Sequence, residues 1–436
     1  MIIPDRLNVL LIGGGGREHA LARAVTRSPR LGSLFATHTG NPGIAALAEP
    51  IGAPPEKKQL DRLKVACDKA SIDLVVIGPE DPLADGFADA LSVKGDQSSR
   101  LVFGPTKDAA RIEADKGHAK RLMRAASVPT AEGRVFRDAE QAVAFLEARD
   151  EPMVVKATGL AKGKGVVVPR TAAEAIEAVR SMMVDRVHGN AGAEVLIEEK
   201  LEGREVSVLA LVDGSSLLVL PACRDHKRLG ENDSGPNTGG MGAFCPTDDI
   251  SGDELARIER EVLVPIVDAI RREGDAFTGV LYAGLMMTPA GPKALEFNAR
   301  FGDPECQPLL ARLESDPLDL LIRTAAGTLD NAAPVWTEQA AVCVVLASAG
   351  YPTSPRKGDV ITGIEDAEKI EGVVVDHAGT SLNERGEIVT AGGRVLGVTA
   401  LAPTLTEARD KAYSAADLIE FDGKVTRRDI AASAAV

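Results

Sequence analysis

The run Lys293-Ala294-Leu295-Glu296-Phe297-Asn298 sets a carboxylate and a carboxamide two positions apart in a segment of strand length. Residues two apart on a strand share a face, so Glu296 and Asn298 are expected to converge while Leu295 and Phe297 turn into the core. Adjacent oxygen donors suit a hard cation such as magnesium, which ordinarily arrives with nucleotide phosphates. An amphipathic edge strand carries the same pattern, and this segment alone leaves both readings open.

A second cluster offers positive charge. Gly159-Leu160-Ala161-Lys162-Gly163-Lys164-Gly165 follows Lys156, giving three lysines and three glycines in a short span, as expected of a flexible cover for phosphates. It is not a Walker A loop, because Thr158 stands where glycine is required and Gly165 where serine or threonine is required. Lys156 lies among Val154, Val155 and Ala157, where burial is costly unless the ammonium meets an anion. A surface lysine with a snorkelling stem is the competing reading. The charged run 196–205, which includes Glu198, Glu199, Lys200, Leu201 and Glu205, reads as a strand entering a connection whose main-chain groups could pair with a purine edge. A solvated strand end is the plainer alternative.

Near the N-terminus, Gly13, Gly14, Gly15 and Gly16 follow an apolar run at 8–12 and open a helix-like run at 17–26, beginning Arg17-Glu18. Backbone amides at a helix N-terminus favour a phosphorylated small molecule, although a tight turn without ligand has the same composition. The dinucleotide fingerprint is incomplete: Glu18 replaces its third glycine, and no acid occurs between Glu18 and Glu49 to hold a ribose. That argues against a nicotinamide oxidoreductase. A companion turn, Gly78-Pro79-Glu80, follows the apolar run 74–77, and both turns are expected to face one crevice.

The elements that must position these residues are read as follows. Strands at 8–12, 34–37, 74–77 and 101–106 alternate with helical stretches, the signature of a parallel α/β domain ending near Lys107. A helix is expected over 109–126. Thr171 and Glu174 form a capping box for a helix to 183, and strands are expected at 195–197 and 206–212. The polar, glycine-rich stretch 224–242 is too long for a plain hairpin and is expected to be a binding loop. After Trp336, strands at 341–347, 373–377 and 394–400 and a helix at 406–418 indicate a smaller α+β domain.

The 436 residues suffice for two to four domains. A net charge of −14 with only 3% aromatic residues disfavours nucleic acid as a partner. No apolar run reaches the roughly 20 residues of a membrane span. The N-terminus lacks a basic segment followed by an apolar stretch, so a cytoplasmic location is expected. Five scattered cysteines without a CxxC pair suggest neither a disulfide framework nor a zinc site.

Taken together, Lys156, GLAKGKGVVV, IEEKL with Glu205, and LEFN resemble the ATP-grasp ligases in sequence and spacing. GGGGREHAL, GPEDPLADG, DHKRLGENDSGPNTGGMGAF, GVLYAGLM and EFNARFGDPECQPLL resemble, within that superfamily, the phosphoribosylamine–glycine ligase family. The resemblance spans nearly the whole chain. It implies a multidomain α/β protein: an N-terminal parallel α/β domain (1–107), a central ATP-grasp domain (108–330) with a small lid at about 127–197, and a C-terminal α+β domain (331–436). It implies a monomer acting on glycine, 5-phosphoribosylamine and ATP in purine biosynthesis, with magnesium or manganese, through glycyl phosphate.

By that resemblance Lys116 and Lys156 contact ATP, the 159–165 loop covers the triphosphate, Glu198 to Leu201 hold adenine, and Glu205 reaches the ribose or the metal shell. Glu296 and Asn298 bind the metal. Gly14 to Glu18, Gly78 to Glu80, Asp225, His226, Lys227, Asn237, Thr238, Gly239, Gly240 and Asp303 line the acceptor side. Arg300, Lys227 and Asp225 are the candidate catalytic residues, Arg300 by clamping a carboxylate or acyl phosphate with its planar fork. Lys162 and Ala391 depart from the family's usual alanine and asparagine. Tyr282-Ala283-Gly284-Leu285 supplies no third acidic metal ligand, a lack the family shares. Another ATP-grasp ligase and a nucleotide sensor without catalysis are the alternative readings.

Overall fold

The computed structural model describes residues 3–432 except 94, 96–98, 162, 248 and 249. Its N-terminal sheet has five parallel strands in the order Glu49–Pro50, Leu31–Ala36, Leu7–Ile12, Leu74–Ile77, Leu101–Phe103. Leu7–Ile12 is apolar throughout because it is covered on both faces: Leu10 and Ile12 enter one core cluster, Leu7, Val9 and Leu11 the other. Strand order reverses between Leu7–Ile12 and Leu74–Ile77, so the turns after them leave the sheet side by side at its switch point. The two glycine turns therefore share one crevice, as expected.

The central sheet is antiparallel, in the order Leu217–Val219, Arg204–Asp213, Thr278–Thr288, Gly291–Asn298. Val206, Val208, Ala210, Ala283, Leu285 and Phe297 fill the core beneath one face. The opposite face carries the polar residues described below. A smaller sheet, Gly133–Phe136, Val195–Glu198, Val154–Ala157, Val166–Val167, forms the lid with helices Ala139–Glu147 and Ala172–Met183, and has its own apolar cluster around Phe136, Leu146, Val155, Val179 and Ile197. Thr171 accepts the Glu174 N–H at 3.2 Å, but Glu174 reaches the Arg170 N–H at 2.8 Å instead of closing the capping box.

Two expectations are corrected. The helix over 109–126 breaks into Arg111–Ala114 and Lys116–Ala125, because Asp115 leaves helical geometry and caps the second segment, accepting the His118 N–H at 2.9 Å. The stretch 224–242 is not one irregular loop. Arg224–Asp225 pairs with Gly242–Cys245, and Arg228–Gly230 pairs with Ser234–Asn237 around a turn in which Asn232 and Asp233 take positive φ, a conformation these short polar residues tolerate. Through Gly242–Cys245 this excursion joins the C-terminal sheet, in the order Arg224–Asp225, Gly242–Cys245, Ala340–Ala347, Arg394–Ala402, Val373–His377, packed under helix Leu405–Leu418. Among the described residues no helix is long and apolar enough to cross a membrane.

The N- and C-terminal domains meet at two buried histidines. His19 Nδ1 lies 3.6 Å from Asp376 Oδ1, but it accepts the His377 N–H at 2.9 Å and is therefore neutral rather than ion-paired. Burial, aided by Arg23, lowers the His19 pKa to about 3, and burial lowers that of His377 to about 4. Burial raises Asp376 to about 6 against the pull of Arg23. The depressed histidines contribute stability that is complete above pH 6.5 and is lost on acidification toward pH 4; Asp376 acts oppositely between pH 3.8 and 6. Two groups outweigh one. Each histidine contributes up to about 1.4 kcal/mol per pH unit in its window, so urea midpoints are expected to fall from pH 7 to 5, and less steeply in the His19→Gln/His377→Gln double variant. Equal slopes would show that the pair does not remain neutral.

Candidate active site

Glu296 and Asn298 share the upper face of the central sheet, opposite Gly284 and Tyr282 respectively. Gly284 keeps the space beside the carboxylate open: a β-carbon there would contact Glu296 Cγ at 3.4 Å. The strand is not regular. Gly284 pairs with Glu296 and Leu285 with Ala294, leaving Leu295 as the extra residue of a bulge, half-buried instead of in the core as expected. The bulge turns the Leu295 carbonyl toward the lid, where it accepts Lys156 Nζ at 3.1 Å.

Lys156 is 6% exposed, and its ammonium also meets Glu198 Oε1. The other oxygen of Glu198 pairs with Lys120 Nζ at 2.7 Å, and Lys120 further donates to Thr130 Oγ1 and the Ala131 carbonyl. The Glu198 carboxylate thus lies beneath the site as the shared counter-charge of two lysines. Lys120 was missed in the sequence, although its i+4 spacing from Lys116 puts both on one helix face. Lys116 heads that helix; burial lowers its pKa, opposed chiefly by Glu296. Glu199 binds the Glu132 N–H and Lys293, each at 3.0 Å, in the connection that runs through Lys200 and Leu201 to the central sheet. Gly159 packs closely on Ala191, Gly165 on Ala161 and Ala157, and Gly163 takes positive φ. Lys164 Nζ reaches the Pro352 carbonyl at 2.9 Å; Lys162 lies outside the described residues.

Lys227 Nζ stands 3.5 Å from Glu205 and 4.0 Å from Glu296. Burial would lower its pKa, but Asp225 foremost, then Tyr282, Glu205 and Glu296, hold it well above the usual lysine value. Burial likewise pushes Glu296 up, and Lys227, Lys156, Lys116 and Arg300 together hold it below the ordinary carboxylate value. Asp225 is raised by burial, with Lys227 opposing; it bonds Ser207 Oγ at 3.3 Å, and Ser207 meets Tyr282 Oη at 2.7 Å. Beside them burial and the Asp225 charge raise Glu305 to about 7, a residue for which the sequence offered no role.

Arg300 is already gripped. Its Nη2 lies 2.9 Å from Glu113 and Nη1 donates to the Phe301 carbonyl at 3.0 Å, while Nε stands 3.2 Å from Glu80 in an ion pair without a hydrogen bond. Glu113 also accepts the Ala299 N–H at 2.7 Å and was not foreseen. Asp303 Oδ2 binds Arg394 at 2.8 Å and Oδ1 binds Gln307 at 2.9 Å, beside Gly15 and Gly16. Arg17 reaches the Phe301 carbonyl at 2.9 Å and Glu18 at 2.6 Å. Glu18 itself accepts the Gly15 N–H at 2.7 Å and fills the space between Gly13, Pro79 and Gly78, so one amide of the glycine turn is already used; Gly14 packs on His38. Thr238 fastens the Lys227 carbonyl at 2.8 Å and receives the Gly240 N–H at 3.0 Å, between Asn237 and Gly239.

His226 is corrected. It is buried in the C-terminal body, Nδ1 facing Arg427 at 3.3 Å and Nε2 facing the Ala431 N–H at 3.4 Å, with burial and Arg427 lowering its pKa to about 4. His226 follows the end of strand Arg224–Asp225 and is fixed there by backbone bonds to Gly242 and Met241, while Asp225 and Lys227 on either side of it face Ser207 and Glu205.

Among the described residues no cluster of three or more His, Cys, Asp or Glu is poised for a metal. An ionised carboxylate and a carboxamide alone fit magnesium, which keeps waters and phosphate oxygens as its remaining ligands.

Residues 7–113, 114–306 and 341–433 match in turn the N domain, ATP-grasp (A) domain and C domain of phosphoribosylglycinamide synthetase. A phosphoribosylamine–glycine ligase of Rhodopirellula baltica is 46% identical over 439 residues, covering 99% of each chain. That of Caulobacter vibrioides is 46% identical, covering 98% of each. The chain belongs to the phosphoribosylamine–glycine ligase family. The crystal structure of such a ligase from Thermotoga maritima shares 33% identity and superposes with a TM-score of 0.81, over 97% of this chain and 100% of that one. The fold extends further: a biotin carboxylase domain from Hydrogenobacter thermophilus, in complex with MgADP, ADP and bicarbonate, superposes with a TM-score of 0.72 at 18% identity.

In this ligase-family site Glu198 is the buried counter-charge of two lysines. Glu198→Gln leaves two buried ammoniums without their counter-charge and is expected to cost about 3–5 kcal/mol in denaturant unfolding. Glu199→Gln, at a part-exposed pair, is expected to cost no more than about 1 kcal/mol. Similar losses at both would refute the buried triad.

Proposed function

We propose that the chain joins glycine to the amine of 5-phosphoribosylamine, converting ATP to ADP and phosphate and forming glycinamide ribonucleotide. The observation that carries this reading is the shared face of Glu296 and Asn298 with the charges of Lys116 and Lys156 acting on Glu296, in a chain of the ligase family. Glycine's carboxylate is a poor acylating agent. Its attack on the γ-phosphorus of ATP forms a new O–P bond, breaks the bond to the bridging oxygen and releases ADP, leaving glycyl phosphate. The amine then attacks the carbonyl carbon and phosphate departs.

No side-chain nucleophile is needed, so rate comes from positioning and charge. Lys116 and Lys156 balance the phosphates, and the lid loop excludes water from the acyl phosphate. Glu199 to Leu201, joining the lid to the central sheet, offer main-chain groups to adenine, with Glu205 beside the ribose. Magnesium or manganese, held by Glu296 and Asn298, would neutralise polyphosphate charge. Lys227, 3.5 Å from Glu205, and Asp225, bonded by Ser207, orient the acceptor. Arg300 has N–H groups left to meet a carboxylate, its plane fixed by Glu80 and Glu113. The residues around the glycine turns and Asp303 receive the ribose phosphate side.

ADP release is expected only when glycine and phosphoribosylamine, generated in situ, are both present; release without either would sink the assignment. Glu296→Ala is expected to lower turnover by about 100-fold or more in a folded chain. Lys156→Met is expected to raise the ATP concentration needed for half-maximal rate, and an unchanged ATP dependence would return this lysine to a purely structural role.

A further inference from the structure

The acceptor segment is fastened by Tyr351, a residue of the C-terminal domain for which the sequence offered no role. The Gly239 N–H donates to Tyr351 Oη at 2.9 Å, and the Gly239 carbonyl accepts from Arg394 Nη1 at 2.7 Å. Both backbone polar groups of one residue are thus held by the C-terminal domain. Its neighbour Thr238 bonds the Lys227 carbonyl, and a β-carbon on Gly240 would overlap Pro304, so the segment cannot shift without moving Lys227 or the turn that carries Asp303. Pro352, next in the chain to Tyr351, offers its carbonyl to Lys164 of the lid loop at 2.9 Å. Gly163 of the same loop faces the Thr238 carbonyl. A single turn of the C-terminal domain therefore contacts the phosphate cover on one side and the acceptor segment on the other. The Tyr351 ring lies over Gly393, where any β-carbon would overlap it.

We propose that Tyr351 is a positioning residue: it holds the Gly239 peptide, and through Thr238 holds Lys227, in register with the phosphate end of the site while the lid loop rests on Pro352. The proposal rests on the ligase reading above. Its chemical consequence is the fate of glycyl phosphate. With the acceptor aligned, the amine takes the glycyl group. With the segment loosened, a water oxygen attacks the same carbonyl carbon, the carbon–oxygen bond to phosphate breaks, and glycine and phosphate return to solution with ATP already spent and ADP released.

The test uses the full chain with Tyr351→Phe, which deletes one oxygen, and Gly393→Ala, which keeps the hydroxyl but displaces the ring. ADP and amide product are measured in parallel, with a thermal melt to identify folded protein. In either folded variant the ADP-to-amide ratio is expected to rise from one to about two or more, and KM for phosphoribosylamine to rise about threefold or more while KM for ATP stays within about twofold. The double variant is expected to be no worse than the more affected single one, since both break one contact. A ratio of one with unchanged acceptor KM in a folded variant overturns the proposal, as does a uniform fall in rate with the ratio preserved. Amide formation by the unaltered chain separates these outcomes from failure of the ligase reading, in which no amide forms at all.

Discussion

An ammonium ion can be buried only beside a compensating charge, and the site depends on how this is met at Glu198. One carboxylate, 2% exposed, serves both Lys120 and Lys156. Lys156 belongs to the lid and Leu295 to the central sheet, so the bond between the Lys156 ammonium and the Leu295 carbonyl ties the two layers across the space between them. That carbonyl is available only because the strand bulges; a regular ladder would have used it within the sheet. A lysine that must be paired and a strand that must be irregular thus satisfy each other's unpaired groups.

Above this layer the charges are balanced collectively. Glu296 remains ionised because four cations surround it, and Lys227 remains charged because Asp225, Glu205 and Glu296 surround it in turn. Removing any one group changes the protonation preference of the others, so the site responds as a unit. Such fixed charges need little rearrangement when a charged group enters, which is the condition for electrostatic catalysis.

The exit from strand Gly291–Asn298, residues 300–305, joins the domains. Arg300 meets Glu80 of the N-terminal domain and Glu113 of the broken helix, Arg17 binds the Phe301 carbonyl, and Asp303 binds Arg394 of the C-terminal domain. The turn after strand Leu74–Ile77, the first helix, the Gly240 turn and the C-terminal sheet therefore all meet this segment. Proximity here comes from domain convergence rather than from any single motif.

The amino-acid sequence by itself determined the parallel N-terminal sheet apart from its short edge strand Glu49–Pro50, the strand 373–377, the final helix and the shared face of Glu296 and Asn298, because apolar strand runs, helical spacing and two-residue alternation are local properties. It did not reveal the bulge at Leu295 or the break at Asp115, where one residue's hydrogen bonding outweighs an otherwise regular pattern. Tertiary structure alone decided that Glu198 lies under the lysines, that Glu113, Tyr351 and Arg394 hold residues far away in the chain, and that His226 turns from the site its neighbours enter. Those assignments depend on which groups remain unpaired once distant elements pack, and no spacing along a single chain records that.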